Sequence, residues 1–218
     1  MNIGKIKKII IAILIVSVLI LIGMITYDYY DMKKSNEYAE SMIDEINKII
    51  EDNQKTIVIE KNENNNEENN SNNSNISKQT GQRKVQVAKI TGYEVHGKIR
   101  IDKIGIEYPI IEYKNSDSLW KSICKISNNN VDGTGNLCLA GHNMRNLSMF
   151  GNLRKITIGD KIKITNLYGE EFIYEVFEKL YVDPDQTEVL KNAEEAIVTL
   201  ITCNDASNKR LIIKGRLN

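Results

Sequence analysis

An uncharged apolar run near the N-terminus constrains this chain more than any other feature. Residues 9–25 carry no charge, and lysines are concentrated just before them, within residues 5–8. Extended to residue 27, the run is long enough for a short transmembrane helix at about 1.5 Å per residue. No small-residue cleavage site follows it, which favours an uncleaved anchor over a cleaved signal peptide. The basic flank predicts that residues 1–8 are cytoplasmic, that residues 9–27 cross the membrane once, and that the remainder is extracellular.

The segment after the apolar run divides into two parts. Residues 28–55 have helical periodicity, with Tyr38, Met42 and Ile46 near one face, which predicts a juxtamembrane stalk helix. Residues 61–80 contain nine asparagines among glutamates and serines, and too little apolar surface to offset the entropy of ordering. We therefore expect a stalk helix and a flexible Asn-rich linker over residues 28–82.

Residues 83–218 form the remaining unit, which we predict to be one folded domain. Its pattern is mostly short alternating strands, predicted at 97–101, 107–111, 135–140, 160–165, 172–182, 196–203 and 211–217. Short helices are expected at 118–126, 148–153 and 187–192. Seven or eight strands with small connecting helices favour a mainly β fold closed into a barrel, because closure removes exposed sheet edges.

Charge and cysteine usage exclude two classes of function. The chain has 29 basic and 29 acidic residues and no long basic block interleaved with aromatics, so no nucleic-acid partner is predicted. Its three cysteines form no CxxC pair and no Cys/His spacing suited to zinc. We accordingly predict neither a metal nor a cofactor.

Three side chains lie beside predicted strands and together suggest chemistry. Cys203 ends an apolar strand, His142 follows another, and Arg210 begins the last one. A thiol beside an imidazolium can act as a thiolate nucleophile, and a guanidinium can hold an oxyanion, so the three residues could form an acyl-transfer site. Lys209 and Arg216 are alternative cations, although Arg216 falls late in its strand.

Other reactive side chains have structural interpretations. Cys124 and Cys138 are expected to be small core residues, and a disulfide between them remains open in an exported protein. His96, just before the first predicted strand, is expected to be an exposed loop residue. Asp205 could orient the imidazole, but an acid in a polar turn is usually solvated.

Several of these segments resemble the sortase family. Thr-Leu-Ile-Thr-Cys at 199–203 matches the TLxTC signature of sortases, and Leu-Ala-Gly-His-Asn at 139–143 resembles their histidine segment. Arg210 matches the family's arginine, and residues 97–106 are similar to its first strand and turn. The similarity covers about residues 95–218, in the family's order and downstream of the expected anchor.

The resemblance implies a membrane-anchored cysteine transpeptidase of Gram-positive bacteria on an eight-stranded sortase-type β-barrel. Such an enzyme cleaves a C-terminal LPxTG-like sorting signal of a secreted protein through a thioester acyl-enzyme. It then transfers the acyl group to an amine of a cell-wall peptide or of a pilin. The resemblance assigns catalysis to Cys203, His142 and Arg210 and places the catalytic domain at 83–218.

Subclass features favour a class D-like enzyme, with class A the next candidate. Asp205 resembles the ending of class B, but only 61 positions separate His142 from Cys203, too few for the helical insertion of that class. No proline precedes residue 97, so the lid motif of pilus-type class C is absent from the sequence. The acids Asp183, Asp185 and Glu188 correspond to a loop that binds calcium in some class A enzymes, a less favoured possibility here.

Two other functions remain open from the sequence alone. The domain could be a non-catalytic extracellular β-domain that binds a wall polymer or a partner protein. It could also be a simple cysteine protease, which would release an acid product regardless of added amine.

Overall fold

The computed structural model describes residues 3–67, 87–204 and 206–218 as one long helix and a β domain. The helices are α1 (Ile3–Glu67) and α2 (Ser116–Lys121), with single 3-10 turns at Asp102–Ile104, Leu153–Lys155 and Thr187–Leu190. The strands are β1 (Ala88–Ile90), β2 (Tyr93–Ile101), β3 (Ile106–Glu112), β4 (Ile123–Lys125), β5 (Asn136–Ala140), β6 (Lys161–Asn166), β7 (Glu171–Val182), β8 (Ile197–Asn204) and β9 (Lys209–Leu217).

Eight of these strands close into a barrel. Their order is β2-β3-β4-β5-β8-β9-β7-β6, and pairing of β6 with β2 completes the ring. The β3–β4 and β5–β8 pairs are parallel and the other neighbours are antiparallel. Short β1 pairs only with the start of β2. The predicted closed eight-stranded β-barrel is therefore confirmed, with β1 as a ninth strand outside the ring.

The barrel interior is filled by alternate side chains of its strands, as a period of two requires. In β8, Val198 and Leu200 lie in the core, whereas Ile201 and Cys203 fall on the other face. The interior is dominated by isoleucine, leucine and valine, with Tyr108, Phe150 and Tyr174 as large buried rings. This alternation decides which strand residues are available on the outer face.

Helix α1 includes the expected stalk helix and also packs on the barrel. It is continuous from the apolar segment, which is long and apolar enough to cross a membrane, to Glu67. Met42, Ile43 and Ile46 are at most 8% exposed because they pack against the barrel wall. The helix also takes in residues 61–67 of the segment that was expected to be a flexible linker. Residues 68–86 of that linker lie outside the described residues.

Two further expectations about the domain are corrected. The helix expected at 118–126 ends at Lys121 and is followed by β4, which pairs with β3 and β5. The turn expected at 148–153 forms its 3-10 helix later, at Leu153–Lys155. Cys124 and Cys138 are free thiols in the core, as expected, and the disulfide that the sequence left open is absent between them.

The expectation for His96 is also corrected, because His96 lies within β2 and is only 6% exposed. Its Nε2 lies 2.7 Å from Glu112 Oε2, and Lys125 Nζ lies 3.0 Å from the same oxygen. The carboxylate explains how a histidine and a lysine are accommodated in the domain, since buried ionisable groups need a partner. The sequence shows His96 among polar neighbours but not this pairing across strands.

Candidate active site

Cys203 and Arg210 face each other across the β8–β9 pair. They are directly opposite in the antiparallel register, so their side chains share the outer face of the sheet. Arg210 Nη1 donates a hydrogen bond to Cys203 Sγ over 2.9 Å. Both side chains are partly exposed, which leaves the sulfur open to a ligand. A guanidinium in this position can stabilise negative charge on the sulfur or on an oxygen beside it.

His142 is brought to the same end of the barrel by the parallel β5–β8 pair. The register joins Ala140 to Ile201, and both site residues follow two positions later on their strands. Two hydrogen bonds continue the pairing past the ladder: Gly141 N donates to Ile201 O over 3.1 Å, and Thr202 Oγ1 donates to Gly141 O over 2.7 Å. His142 and Cys203 therefore leave neighbouring strands at the same level. We call this end of the barrel the site end.

Trp120 of α2 covers the imidazole. The ring centroids of Trp120 and His142 are 4.1 Å apart at an interplanar angle of 33°. α2 is capped by the Asn115 side chain, which accepts a hydrogen bond from Ser118 N over 3.2 Å and sets the start of the helix. Trp120 itself is 58% exposed, so one face of the indole stacks on the histidine while much of the ring meets solvent.

This environment shifts the pKa of His142. Burial lowers the pKa of His142 below its ordinary value, because the charged imidazolium loses hydration. Its Nε2 is buried and has no hydrogen-bond partner among the described residues. A buried ring nitrogen without a partner calls for an explanation, and a proton exchanged with a bound reactant is one.

The loop after His142 is fixed by Phe150. Phe150 N donates to His142 O over 3.1 Å, and the ring is fully buried against Gly141. A Cβ on Gly141 would lie 2.8 Å from Phe150 Cδ2. The glycine before the histidine is therefore required for close packing, since its φ does not lie in the left-handed region.

The other cysteines and the alternative arginine lie apart from Cys203, His142 and Arg210. Cys124 and Cys138 are fully buried, and burial raises their pKa values to about 12 and about 11. Arg216 pairs with Glu195 at 2.7 Å and faces Ile197, at the opposite end of β9 from Arg210. Asp205 lies outside the described residues.

Two of the three acids considered for calcium pair with lysines. Asp183 Oδ1 lies 3.7 Å from Lys209 Nζ, and Glu188 pairs with Lys191. Across 3–67, 87–204 and 206–218, no group of three or more histidine, cysteine or acidic side chains is arranged to hold a metal.

The structure thus brings together the predicted cysteine, histidine and arginine segments and adds Trp120. Sequence reasoning placed Trp120 on a short helix without a role. The only available signal was that Trp120 is the single tryptophan of the chain. Its contact with His142 depends on α2 returning beside β5 through β4, and no local pattern reports that path.

The sortase domain model matches residues 99–218. Sortase A of Listeria monocytogenes is 33% identical over 56% of this chain and 56% of its own length. Sortase D of Bacillus subtilis is 30% identical over 78% of this chain and 87% of its own length. The alignments with the two sortase A sequences, from L. monocytogenes and Bacillus anthracis, span less than two thirds of those proteins.

Comparison with solved structures also finds sortases. A Clostridium perfringens sortase D5 transpeptidase superposes with a TM-score of 0.53 at 34% identity, covering 57% of this chain and 79% of its own. L. monocytogenes sortase A superposes with a TM-score of 0.53 at 32% identity, covering 57% and 87%. With a family model matching more than half of its residues and a barrel shared with these structures, the chain belongs to the sortase family.

Proposed function

We propose that the protein is a membrane-anchored cysteine transpeptidase. Cys203 is the nucleophile, His142 is the general acid and base, and Arg210 supplies fixed donors to the developing oxyanion. The observation that carries the proposal is the contact of Arg210 Nη1 with Cys203 Sγ at 2.9 Å, at the strand ends where His142 also emerges.

The reaction has two steps in which atoms balance. The Cys203 thiolate attacks the scissile carbonyl carbon, the C–N bond breaks, and the imidazolium of His142 gives its proton to the departing amine. An acceptor amine then attacks the thioester carbonyl and loses a proton to His142, and the C–S bond breaks to restore the sulfur. The half-exposed sulfur leaves room for both the acyl group and the acceptor.

The substrate class is proposed from the family. The donors are secreted proteins with an LPxTG-like C-terminal sorting signal, and the acceptor is an amine of a cell-wall peptide or a pilin. We also propose a class D-like enzyme, a relationship supported by the match to B. subtilis sortase D over 87% of that protein. The proposed topology is a cytoplasmic segment 1–8, a single span at 9–27, a stalk and linker at 28–82, and an extracellular catalytic domain at 83–218.

The test is peptide transfer by the purified full chain in detergent. An LPxTG-type peptide is incubated with and without a small amine, and acyl–amine product is quantified by mass spectrometry. Cys203→Ala should abolish transfer, whereas Cys138→Ala, which removes a buried thiol from the adjoining strand, should retain it. Arg210→Lys keeps the charge but loses the planar donor fork, and loss of one oxyanion donor typically costs about 2.7–4 kcal/mol of barrier.

Three outcomes would overturn the proposal. Full transfer by Cys203→Ala would exclude the thiol as the nucleophile. Equal release of acid product with and without amine, at a rate that the amine does not change, would indicate a cysteine protease instead. If no transfer occurs and thiol-directed reagents leave partner binding intact, the result would favour the non-catalytic β-domain.

A further inference from the structure

The barrel is fastened to the helix that leaves the apolar segment. The apolar stripe of α1 packs on a patch of the barrel wall made of Ile90, Val95, Ile111, Cys124 and Leu167. Hydrogen bonds flank the stripe: Lys98 Nζ donates to Asn47 Oδ1 over 2.8 Å, and Asn53 Nδ2 donates to Leu167 O over 2.8 Å. Since α1 is continuous through this contact, the position of the barrel relative to the apolar segment is set by the fold.

The direction of α1 along the barrel determines which end is nearer the apolar segment. Tyr108, near the start of β3, donates to Asn36 Oδ1 over 2.9 Å. Residues 32–43 of α1 line a cleft of about 400 Å³ together with residues 146–148 of the loop that follows His142. Further along the helix, Asn53 contacts Leu167 in the turn before β7, whose far end pairs with Arg210.

These contacts place the site end closer to the apolar segment. Counted from residue 27 at about 1.5 Å per residue, Asn36 is about 14 Å along the helix and Asn53 about 39 Å. The turn between β6 and β7, at 167–170, is therefore the end remote from the apolar segment. We call it the distal turn.

The loop that follows His142, at the site end, is rich in exposed cations. The loop at 142–160 exposes Arg145, Arg154 and Lys155, together with the apolar side chains of Leu147 (44% exposed) and Ile158 (70% exposed). Exposed cations mixed with exposed apolar groups are the composition of surfaces that bind anionic headgroups.

Acids are fewer in the loop at 142–160 than in the turns at the remote end, although Glu40 and Glu107 line the cleft beside this loop. Within 142–160 the one acidic side chain is Asp160, which lies 3.9 Å from Lys103 Nζ. Beyond this loop, Asp183 lies 3.7 Å from Lys209 Nζ, and Asp185 is exposed. At the remote end, residues 166–171 and 192–196 contain four glutamates and no lysine or arginine. The loop after His142 is thus the more cationic surface.

We propose that the site end of the barrel faces the bilayer and that the loop at 142–160 rests on anionic lipid headgroups. The proposal assumes that residues 9–27 span the membrane, and it does not depend on the transfer reaction. Two independent observations support it, the direction of α1 and the excess of exposed cations in the loop at 142–160. Its consequence is that Cys203 lies closer to the membrane surface than the distal turn does.

The test measures the height of two positions above the bilayer. The full chain is reconstituted in vesicles of phosphatidylcholine with or without phosphatidylglycerol, containing a headgroup-attached energy-transfer acceptor. A donor dye is placed on Cys203, since Cys124 and Cys138 are fully buried, or on Glu171→Cys beside the distal turn in a Cys203→Ala background. Transfer should be higher from Cys203 than from position 171, and phosphatidylglycerol should increase it further.

A pair of charge variants tests the headgroup contact. Arg154→Gln with Lys155→Gln should reduce transfer from Cys203 in vesicles that contain phosphatidylglycerol. The matched control, Lys48→Gln with Lys89→Gln, removes the same charge from exposed positions outside the loop and should leave transfer unchanged. Equal or higher transfer from position 171 would overturn the orientation. Equal effects of the two double variants would overturn the contact with anionic lipid.

Discussion

Gly141 provides the sharpest test of how packing positions the imidazole of His142, which we propose to be catalytic. An alanine Cβ at this position would lie 2.8 Å from Phe150 Cδ2, 3.1 Å from Cγ and 3.2 Å from Cε2. Contacts below 3 Å are not tolerated, and the fully buried Phe150 ring cannot swing aside. Gly141→Ala therefore forces the strand end or the ring to shift, and overpacking of this kind typically costs about 1–3 kcal/mol.

The assay is guanidinium unfolding of the full chain in detergent, followed by fluorescence. Trp120 is the only tryptophan and stacks on His142, so its emission reports this region. We expect Gly141→Ala to lower the free energy of unfolding by about 1–3 kcal/mol. Acyl transfer by the folded variant should also slow, because the shifted backbone carries His142.

A double-mutant cycle decides whether Phe150 is the cause. Phe150→Ala alone should cost about 3–5 kcal/mol through the cavity that it leaves. In that background the added methyl of Gly141→Ala has space, so the double variant should be more stable than additivity predicts by about 0.5–3 kcal/mol. The reasoning is refuted if Gly141→Ala costs the same free energy in both backgrounds.

Three further predictions concern titratable groups. Trp120→Ala should shift the part of the pH–rate profile that reports His142 to higher pH, because exposure to solvent relieves the burial that lowers the pKa of His142. Trp120→Phe should shift it less, and an unchanged profile would contradict the prediction. At about pH 8, iodoacetamide should modify Cys203 alone, because burial raises the pKa of Cys124 to about 12 and that of Cys138 to about 11. Labelling of Cys124 or Cys138 in the folded protein would refute this prediction. Burial and then Lys125 lower the pKa of His96, so the folded state binds fewer protons than the unfolded chain, and unfolding free energy should fall as pH drops below about 6.5. His96→Gln should flatten that dependence, and an unchanged slope in denaturant titrations would exclude His96 as its source.

The barrel strands were predictable where local pattern determines them. Alternation identified the strands at 160–165 and 172–182, and the long apolar run before Cys203 identified β8. β4 was missed because it has three residues, follows α2 without a turn signal, and continues the helical pattern. It is held by partners on both sides, β3 and β5, and not by its own propensity.

The residues of the site were predictable from the sequence, but their arrangement in space was not. The sequence shows a cysteine, a histidine and an arginine at strand ends, but not that β5 and β8 are parallel neighbours. Parallel pairs join strands that are distant in sequence, and here 61 positions separate His142 from Cys203. The family resemblance supplied that information, whereas the Trp120 contact and the buried His96 required the structure.

The packing of α1 changes how the anchor must be understood. A free stalk would let the domain rotate, and its orientation to the membrane would carry no information. Burial of Met42, Ile43 and Ile46 on the barrel removes that freedom, because separating the surfaces would expose apolar area to water. At about 1.5–3 kcal/mol for each fully buried aliphatic side chain, these three residues alone oppose undocking by several kcal/mol. Ile46→Asp should therefore release the barrel and equalise energy transfer from Cys203 and position 171. Unequal transfer that persists after this substitution would mean that the lipid contact, and not the helix, holds the orientation.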